Sequence, residues 1–197
     1  MEANTTSCKI AEVEGDLFDA PDGAALIHAC NCQGSWGNGI AKAFKTKYPA
    51  AFSVYQSHCK QLLKKLQYLN TAEAAPRTGQ RPRTIRLPEG SALIIPPQNK
   101  DYERPQGQKH WVICLFTSRG YGRRVSSVKV ILENTRLAVV DMKRQLGELG
   151  AEDNEIVITG LRCCRFNSGL FGVDWRLTRA ILVREGVDVT VVSPPKE

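Results

Sequence analysis

Between Asp22 and Glu73 this chain has no acidic residue. A glycine-rich loop falls inside that gap, and a dinucleotide-binding fold would need an Asp or Glu there to hold a ribose hydroxyl. Other absences narrow the field further. No Gly-x-x-x-x-Gly-Lys-Ser/Thr occurs, which excludes a P-loop. No Cys is separated from an Arg by five residues (Cys114 and Arg119 are one short), so the nucleophile of a cysteine phosphatase is missing. No apolar run approaches the roughly 18 residues of a membrane helix, so no membrane contact is expected. Met1 to Ser7 has neither the basic start nor the apolar stretch of a secretory leader. The expectation is an intracellular protein, cytoplasmic or nuclear, acting as a monomer; the sequence has no internal repeats and no low-complexity tail.

The chain also lacks the paired Cys-x-x-Cys knuckles of structural zinc sites. Its seven cysteines, at 8, 30, 32, 59, 114, 163 and 164, are odd in number and read as reduced, buried thiols. His28, Cys30 and Cys32 alternate onto one strand face and could meet Cys163 or Cys164, so the geometry of a metal site is open. The spacing argues against it, and neither a metal nor a cofactor is expected.

At 197 residues, 42% hydrophobic and 24% charged, the chain suits a single domain over residues 1–197 with a proper core. The net charge of +7 is concentrated. Residues 60–86 hold Lys60, Lys64, Lys65, Arg77, Arg81, Arg83 and Arg86 against Glu73 alone. Such a stretch can attract RNA or DNA, and a weak nucleic-acid contact is the most it predicts. Apart from Tyr68 it has no aromatic for base stacking, which favours a solvated segment. Residues 71–89, rich in Pro, Gly and Arg without a period, read as a basic surface insertion.

Strands alternate with helices. Strands are predicted at Cys8–Val13, Ala24–Cys30, Ser91–Ile95, Lys109–Phe116, Glu155–Leu161 and Asp188–Val192. Trp111 to Phe116 is apolar at consecutive positions, as in a sheet covered on both faces. Helices are predicted from Gly39 to just before Tyr48-Pro49, over Ala50–Leu69, about Ser126 to Leu149, and Asp174–Arg184. The class is α/β: a three-layer α/β/α sandwich around a mixed, mostly parallel sheet.

Two loops stand out. His28-Ala-Cys-Asn-Cys-Gln-Gly-Ser-Trp-Gly-Asn-Gly-Ile40 follows a strand and leads into a helix. Its glycines let backbone N–H groups crowd one point, and the helix start adds partial positive charge, which suits a phosphate or pyrophosphate. His28 and Asn31 stand near the strand's end. Asn167-Ser-Gly-Leu-Phe-Gly-Val-Asp174 also joins a strand to a helix, so two sets of N–H groups can clamp one pyrophosphate, with Phe171 free to stack on a sugar or base. Asp174 reads as an N-cap in preference to a catalytic carboxylate, and Asp16, after the first strand, as a turn acid or as the acceptor of a purine amine.

Together, Gly15-Asp16-Leu17, His28-Ala-Cys-Asn31 with Trp36-Gly-Asn-Gly-Ile-Ala41, and Ser168-Gly-Leu-Phe-Gly172 resemble the signature segments of the macro domain, an ADP-ribose-binding α/β/α module. The Cys-Asn-Cys-x-Gly-Ser-Trp-Gly-x-Gly-Ile-Ala wording, with Phe116-Thr117-Ser118, is most similar to the fungal ADP-ribose-1''-phosphate phosphatase branch. The likeness spans residues 8–70 and 91–193.

The resemblance implies that Asp16 holds the adenine amine, with Gly15 and the Leu17 backbone beside it. It implies that Asn31 binds the distal ribose and that Trp36, Gly37, Asn38, Gly39 and Ile40 wrap that ribose and its substituent. Ser168, Gly169, Leu170, Phe171 and Gly172 would cradle the diphosphate, with Thr117 lining the site. Many macro domains have Asn where His28 stands, whereas the phosphatase branch resembles this chain in having His. The implied ligand is ADP-ribose or ADP-ribose 1''-phosphate, a by-product expected of tRNA splicing. The expected reaction is phosphate removal without a covalent intermediate, by a water held near His28 and Asn31, with His28 moving the proton. Removal of ADP-ribose from modified protein or nucleic acid, and non-catalytic ADP-ribose reading, are the alternatives.

Overall fold

The computed structural model describes residues 8–71, 83–152 and 157–195. A six-stranded sheet forms the middle layer. In chain order the elements are β1 (Ile10–Glu14), β2 (Ala24–Asn31), α1 (Gly39–Lys47), α2 (Pro49–Lys64), β3 (Tyr68–Asn70) and β4 (Thr84–Arg86). Then follow β5 (Ala92–Ile95), α3 (Asn99–Tyr102), β6 (Trp111–Ser118), α4 (Val128–Glu152), β7 (Gly160–Cys163), α5 (Trp175–Arg184) and β8 (Val189–Ser193). The strand order is β1-β8-β7-β2-β6-β5. Every pairing within this sheet is parallel except β5 with β6.

The expected three-layer sandwich is therefore present. All eight residues of β6 are buried, as its unbroken apolar run requires of a strand covered on both faces. Leu26, Cys30, Cys114 and Phe116 pack beneath Phe44, Ala51, Tyr55 and Cys59 of α1 and α2. Ile27, Ile113, Leu115 and Cys163 face Ala138, Val139, Met142 and Leu182 of α4 and α5. Parallel strands share one direction, so the loops after β1, β2, β6 and β7 all open at one rim of the sheet. No helix among the described residues is long and apolar enough to cross a membrane.

Local chemistry explains most element ends. Tyr48 precedes Pro49, which opens α2 at its first position, where a missing N–H costs nothing. Asp101, on the one-turn helix α3, accepts hydrogen bonds from the amides of Ala50 (2.8 Å) and Ala51 (3.0 Å), capping α2 from a distant segment. Asp174 caps α5 as read from the sequence, accepting from the Arg176 amide at 2.9 Å.

Two readings need correction. The helix read through Leu69 ends at Lys64, because Tyr68 to Asn70 pairs antiparallel with Thr84 to Arg86. This hairpin buries Ile85 against Leu137 of α4, with Leu69 packed beside them, and burial there outweighs further helix. Part of the expected insertion is consequently structural: Ile85, Pro88 and Gly90 are buried, while residues 72–82 lie outside the described residues. The strand read from Glu155 starts only at Gly160. Residues 155–156 lie outside the described residues, and Val157 is exposed.

Near the other end of the sheet, the Tyr48 hydroxyl lies 2.7 Å from His110 Nδ1, and His110 Nε2 lies 2.8 Å from the Ala20 carbonyl. Burial lowers the His110 pKa, and it lowers that of His58 likewise. A base held below its unfolded value of about 6.5 adds stability that is full above that pH and is lost as pH falls through it. The unfolding free energy from urea titration should therefore drop between pH 7.5 and pH 5.5. The drop should shrink in a His58→Gln/His110→Gln double variant, and an undiminished pH dependence in that variant contradicts the assignment.

Candidate functional site

The first loop is built on Asn31, the last residue of β2. Its Oδ1 accepts from the Gln33 amide at 2.9 Å and the Ser35 amide at 3.4 Å, and its Nδ2 donates to the Ser35 carbonyl at 2.6 Å. The Tyr55 hydroxyl of α2 donates to the Asn31 carbonyl at 2.8 Å. Trp36 then drops into the core, stacked on Tyr55 (4.9 Å, 19°) and edge-on to His28 (4.8 Å). Anchored by that indole, the chain emerges as Gly37-Asn38-Gly39-Ile40, all exposed. Gly39 has φ of +56°, a conformation glycine adopts without strain. It begins α1, whose first turn has no acidic residue and no side-chain cap, so its N–H groups point outward unclaimed by either.

The second loop hangs from Asn167, buried and in the left-handed region at φ +66°. Its Oδ1 accepts from the Thr117 hydroxyl at 2.8 Å; its Nδ2 donates to Thr135 Oγ1 at 2.9 Å and lies 3.4 Å from Thr178 Oγ1. One amide thus joins β6, α4 and α5 beneath the loop. The Val173 amide donates to the Asn167 carbonyl and the Gly172 amide to the Gly169 carbonyl, both at 3.0 Å, closing the loop into a ring. Leu170 is 70% exposed and Phe171 partly so. A Cβ placed on Gly39 would lie 3.6 Å from Leu170 Cδ1, so the two loops meet at the rim.

Asp16 sits further along the same rim. Gly15 is tied to β8 through its amide, which donates to the Ser193 carbonyl at 2.9 Å. Asp16 Oδ1 accepts from the Phe18 amide at 3.0 Å and caps the short 3-10 turn Leu17–Asp19, whose Leu17 and Phe18 are buried. Its second oxygen has no partner among the described residues and faces solvent, free to accept from a ligand.

Several residues expected at the ligand are buried or hydrogen-bonded within the protein. His28 is 0% exposed, stacked on Phe44 (4.1 Å, 10°) with Cys30 Sγ 3.5 Å from Nε2. It lies on the face of β2 that α1 covers, so its imidazole is sealed beneath Trp36 and Phe44 rather than turned to the rim. Asn31 is spent on the loop's own backbone. Trp36 and Thr117, 1% and 0% exposed, support the loops from within. The Ser168 hydroxyl is turned back onto the Arg165 carbonyl.

Of the thiols weighed as metal ligands, Cys163 faces the opposite layer from His28. Cys114 instead comes within 4.8 Å of His28 and Cys30, all three fully buried. Burial raises the Cys30 pKa well above the ordinary thiol value, which keeps it a neutral packing group.

The residues the sequence reading missed are the supports: Tyr55, Asn167, Thr135 and Thr178. Their one sequence signal is a polar group at a core-facing position of a helix or at the root of a glycine loop.

A Macro domain family model matches residues 27–85. An ADP-ribose 1''-phosphate phosphatase of Aspergillus clavatus is 62% identical over 190 residues, covering 94% of each chain. Another of Aspergillus fumigatus is 57% identical, covering 98% of each. Among solved structures, the macrodomain of Mycobacterium tuberculosis DarG superposes with a TM-score of 0.63 at 22% identity, covering 95% of this chain and 99% of that one. Thermosipho africanus DarTG in complex with ADP-ribose gives a TM-score of 0.59 at 19% identity, covering 95% of this chain and 42% of that one.

Replacing Asn167 tests the second loop's support. Asn167→Ala strands the Thr117 hydroxyl, removes the bond that Thr135 Oγ1 accepts and leaves a Cβ-bearing residue at positive φ, and should cost about 2–4 kcal/mol in urea unfolding. Asn167→Gly relieves only the backbone part and should recover roughly 1 kcal/mol of that. Two equally stable variants contradict this partition.

Proposed function

The chain belongs to the macro domain family, and we propose that it hydrolyses ADP-ribose 1''-phosphate to ADP-ribose and inorganic phosphate. The observation that carries the reading is the meeting of the two glycine loops at Gly39 and Leu170. It puts the uncapped start of α1 opposite a second ring of amides, a place suited to a diphosphate and a further phosphate on one ligand. The name shared by relatives at 57% identity and above specifies the reaction among those such a pocket can serve.

In this reading the substrate lies along the rim. Asp16 accepts the adenine amine, the amides of 168–172 hold the diphosphate, Phe171 packs on the adjoining ribose, and residues 37–40 take the distal ribose and its phosphate. Hydrolysis adds one water: its oxygen attacks phosphorus, the bond from phosphorus to the C1'' oxygen breaks, and that oxygen takes a proton to become the anomeric hydroxyl. Charge gathering on the transferred group is met by N–H groups of residues 37–40, already oriented and costing no rearrangement. Rate then comes mainly from positioning and backbone dipoles. The His28 imidazole is buried against Phe44 and Trp36, where it packs the base of the first loop.

Purified protein should give heat on titration with ADP-ribose and release inorganic phosphate from ADP-ribose 1''-phosphate. Binding without release identifies a reader, and release of ADP-ribose from modified protein without phosphate release identifies an ADP-ribosyl hydrolase. Asp16→Ala should weaken ADP-ribose binding roughly 10-fold or more, the worth of a hydrogen bond to a charged group. Binding of ribose 5-phosphate should be unaffected, and equal loss of both ligands refutes the adenine assignment.

A further inference from the structure

We propose that the loop joining β6 to α4 reads the terminal phosphate of the substrate, with Arg119 as the specificity-determining residue and Arg123 and Arg124 as its outer cations. This rests on the phosphatase reading and deepens it. Along the rim the strands run β1, β8, β7, β2, β6. Asp16 follows β1, the diphosphate loop follows β7, and the distal-ribose loop follows β2. A ligand laid out in that order directs its far end, the 1'' phosphate, toward the next loop along, which is the one after β6. The two neighbours are joined: the Cys32 amide donates to the Arg119 carbonyl at 3.3 Å, and Cys32 Sγ lies 3.5 Å from the Ser118 carbonyl.

The β6 loop is built to hold its side chains still. Ser118 Oγ donates to the Gly120 carbonyl at 2.8 Å and accepts from the Ser126 amide at 3.0 Å, while the Arg119 amide donates to Ser126 Oγ at 3.2 Å. The Arg124 and Val125 amides close back on the Tyr121 and Gly122 carbonyls. Gly120 permits the fold-back, since a Cβ there would lie 2.5 Å from the Arg124 carbonyl. The loop so pinned presents Tyr121, Arg123 and Arg124 to solvent.

Arg119 is oriented as well. Its Nε donates to Glu89 Oε2 at 2.8 Å and its Nη2 to the Arg86 carbonyl at 2.7 Å. Glu89 is itself held by Asn134 Nδ2 at 2.9 Å. Nη1 has no partner among the described residues, and the side chain is 38% exposed. Glu89 offsets one charge, so the three arginines leave the loop positive. A planar guanidinium fixed on one side with N–H groups spare on the other suits a phosphate oxygen, and a monoester adds almost two negative charges that ADP-ribose lacks there.

The test is steady-state phosphate release from ADP-ribose 1''-phosphate, with ADP-ribose as competitive inhibitor. Arg119→Gln should lower kcat/KM roughly 10- to 100-fold while the ADP-ribose inhibition constant stays within about two-fold, and Arg119→Lys should recover part of the loss. Arg123→Gln/Arg124→Gln, at exposed positions, should raise KM several-fold and flatten its salt dependence, and it carries the test should Arg119→Gln fail to fold. The proposal is overturned if ADP-ribose affinity falls in step with kcat/KM, since the loop then only props the pocket, or if kcat/KM does not move. A wild type that binds ADP-ribose yet releases no phosphate overturns the phosphatase reading and this proposal with it. An active wild type insensitive to these arginines overturns this proposal alone.

Discussion

The side-chain amide of Asn167 is buried where β6, α4 and α5 converge, with its oxygen held by the Thr117 hydroxyl and its nitrogen by that of Thr135. An amide buried without such partners costs about 1–3 kcal/mol, so these groups stand or fall together. The glycine loop begins one residue later, and its direction is set by this junction. Asn31 plays the corresponding part for the first loop, holding the turn at residues 33–35 while Tyr55 holds Asn31 itself. Each rim loop thus hangs from one satisfied amide rooted in the core.

A consequence is that the polar side chains nearest the loops point inward and the backbone points outward. In the proposed reading, a ligand at this rim meets amides of residues 37–40 and 168–172, with Asp16 and Phe171 as side-chain contributions. Backbone dipoles cannot be titrated away and need no reorientation as charge builds on a phosphoryl group, which suits a site that works by position. The β6 loop is the exception, because there the rim carries guanidinium groups, that of Arg119 held by Glu89 and the Arg86 carbonyl.

Much of this was legible beforehand for identifiable reasons. The apolar run at Trp111–Phe116 declared a strand covered on two faces. Pro49 placed the break between α1 and α2, Asp174 announced a helix start, and the two glycine clusters marked the loops that meet. The failures have physical causes too. Tyr68 and Leu69 read as a continuation of α2 because their alternative partner, Thr84–Arg86, lies beyond residues without pattern. His28, Trp36 and Thr117 lie in or beside the loop motifs, and all three are buried. Flanking a motif says nothing about which side of the sheet a side chain takes or what closes over it.

Amino-acid order alone settled the alternation of strands and helices, the flexible backbone at residues 37–39 and 169–172, and the surplus of positive charge, since each depends on neighbours within a few positions. Tertiary structure decided which polar groups were free to meet a ligand. Asn31, Thr117 and Asn167 are chemically able to bind a sugar or a phosphate. They are engaged instead because Tyr55 and Thr135, brought in from other elements, and the loop's own amides satisfy them first. A hydrogen bond has a reach of about 3 Å, and only the folded chain determines which partner lies within it.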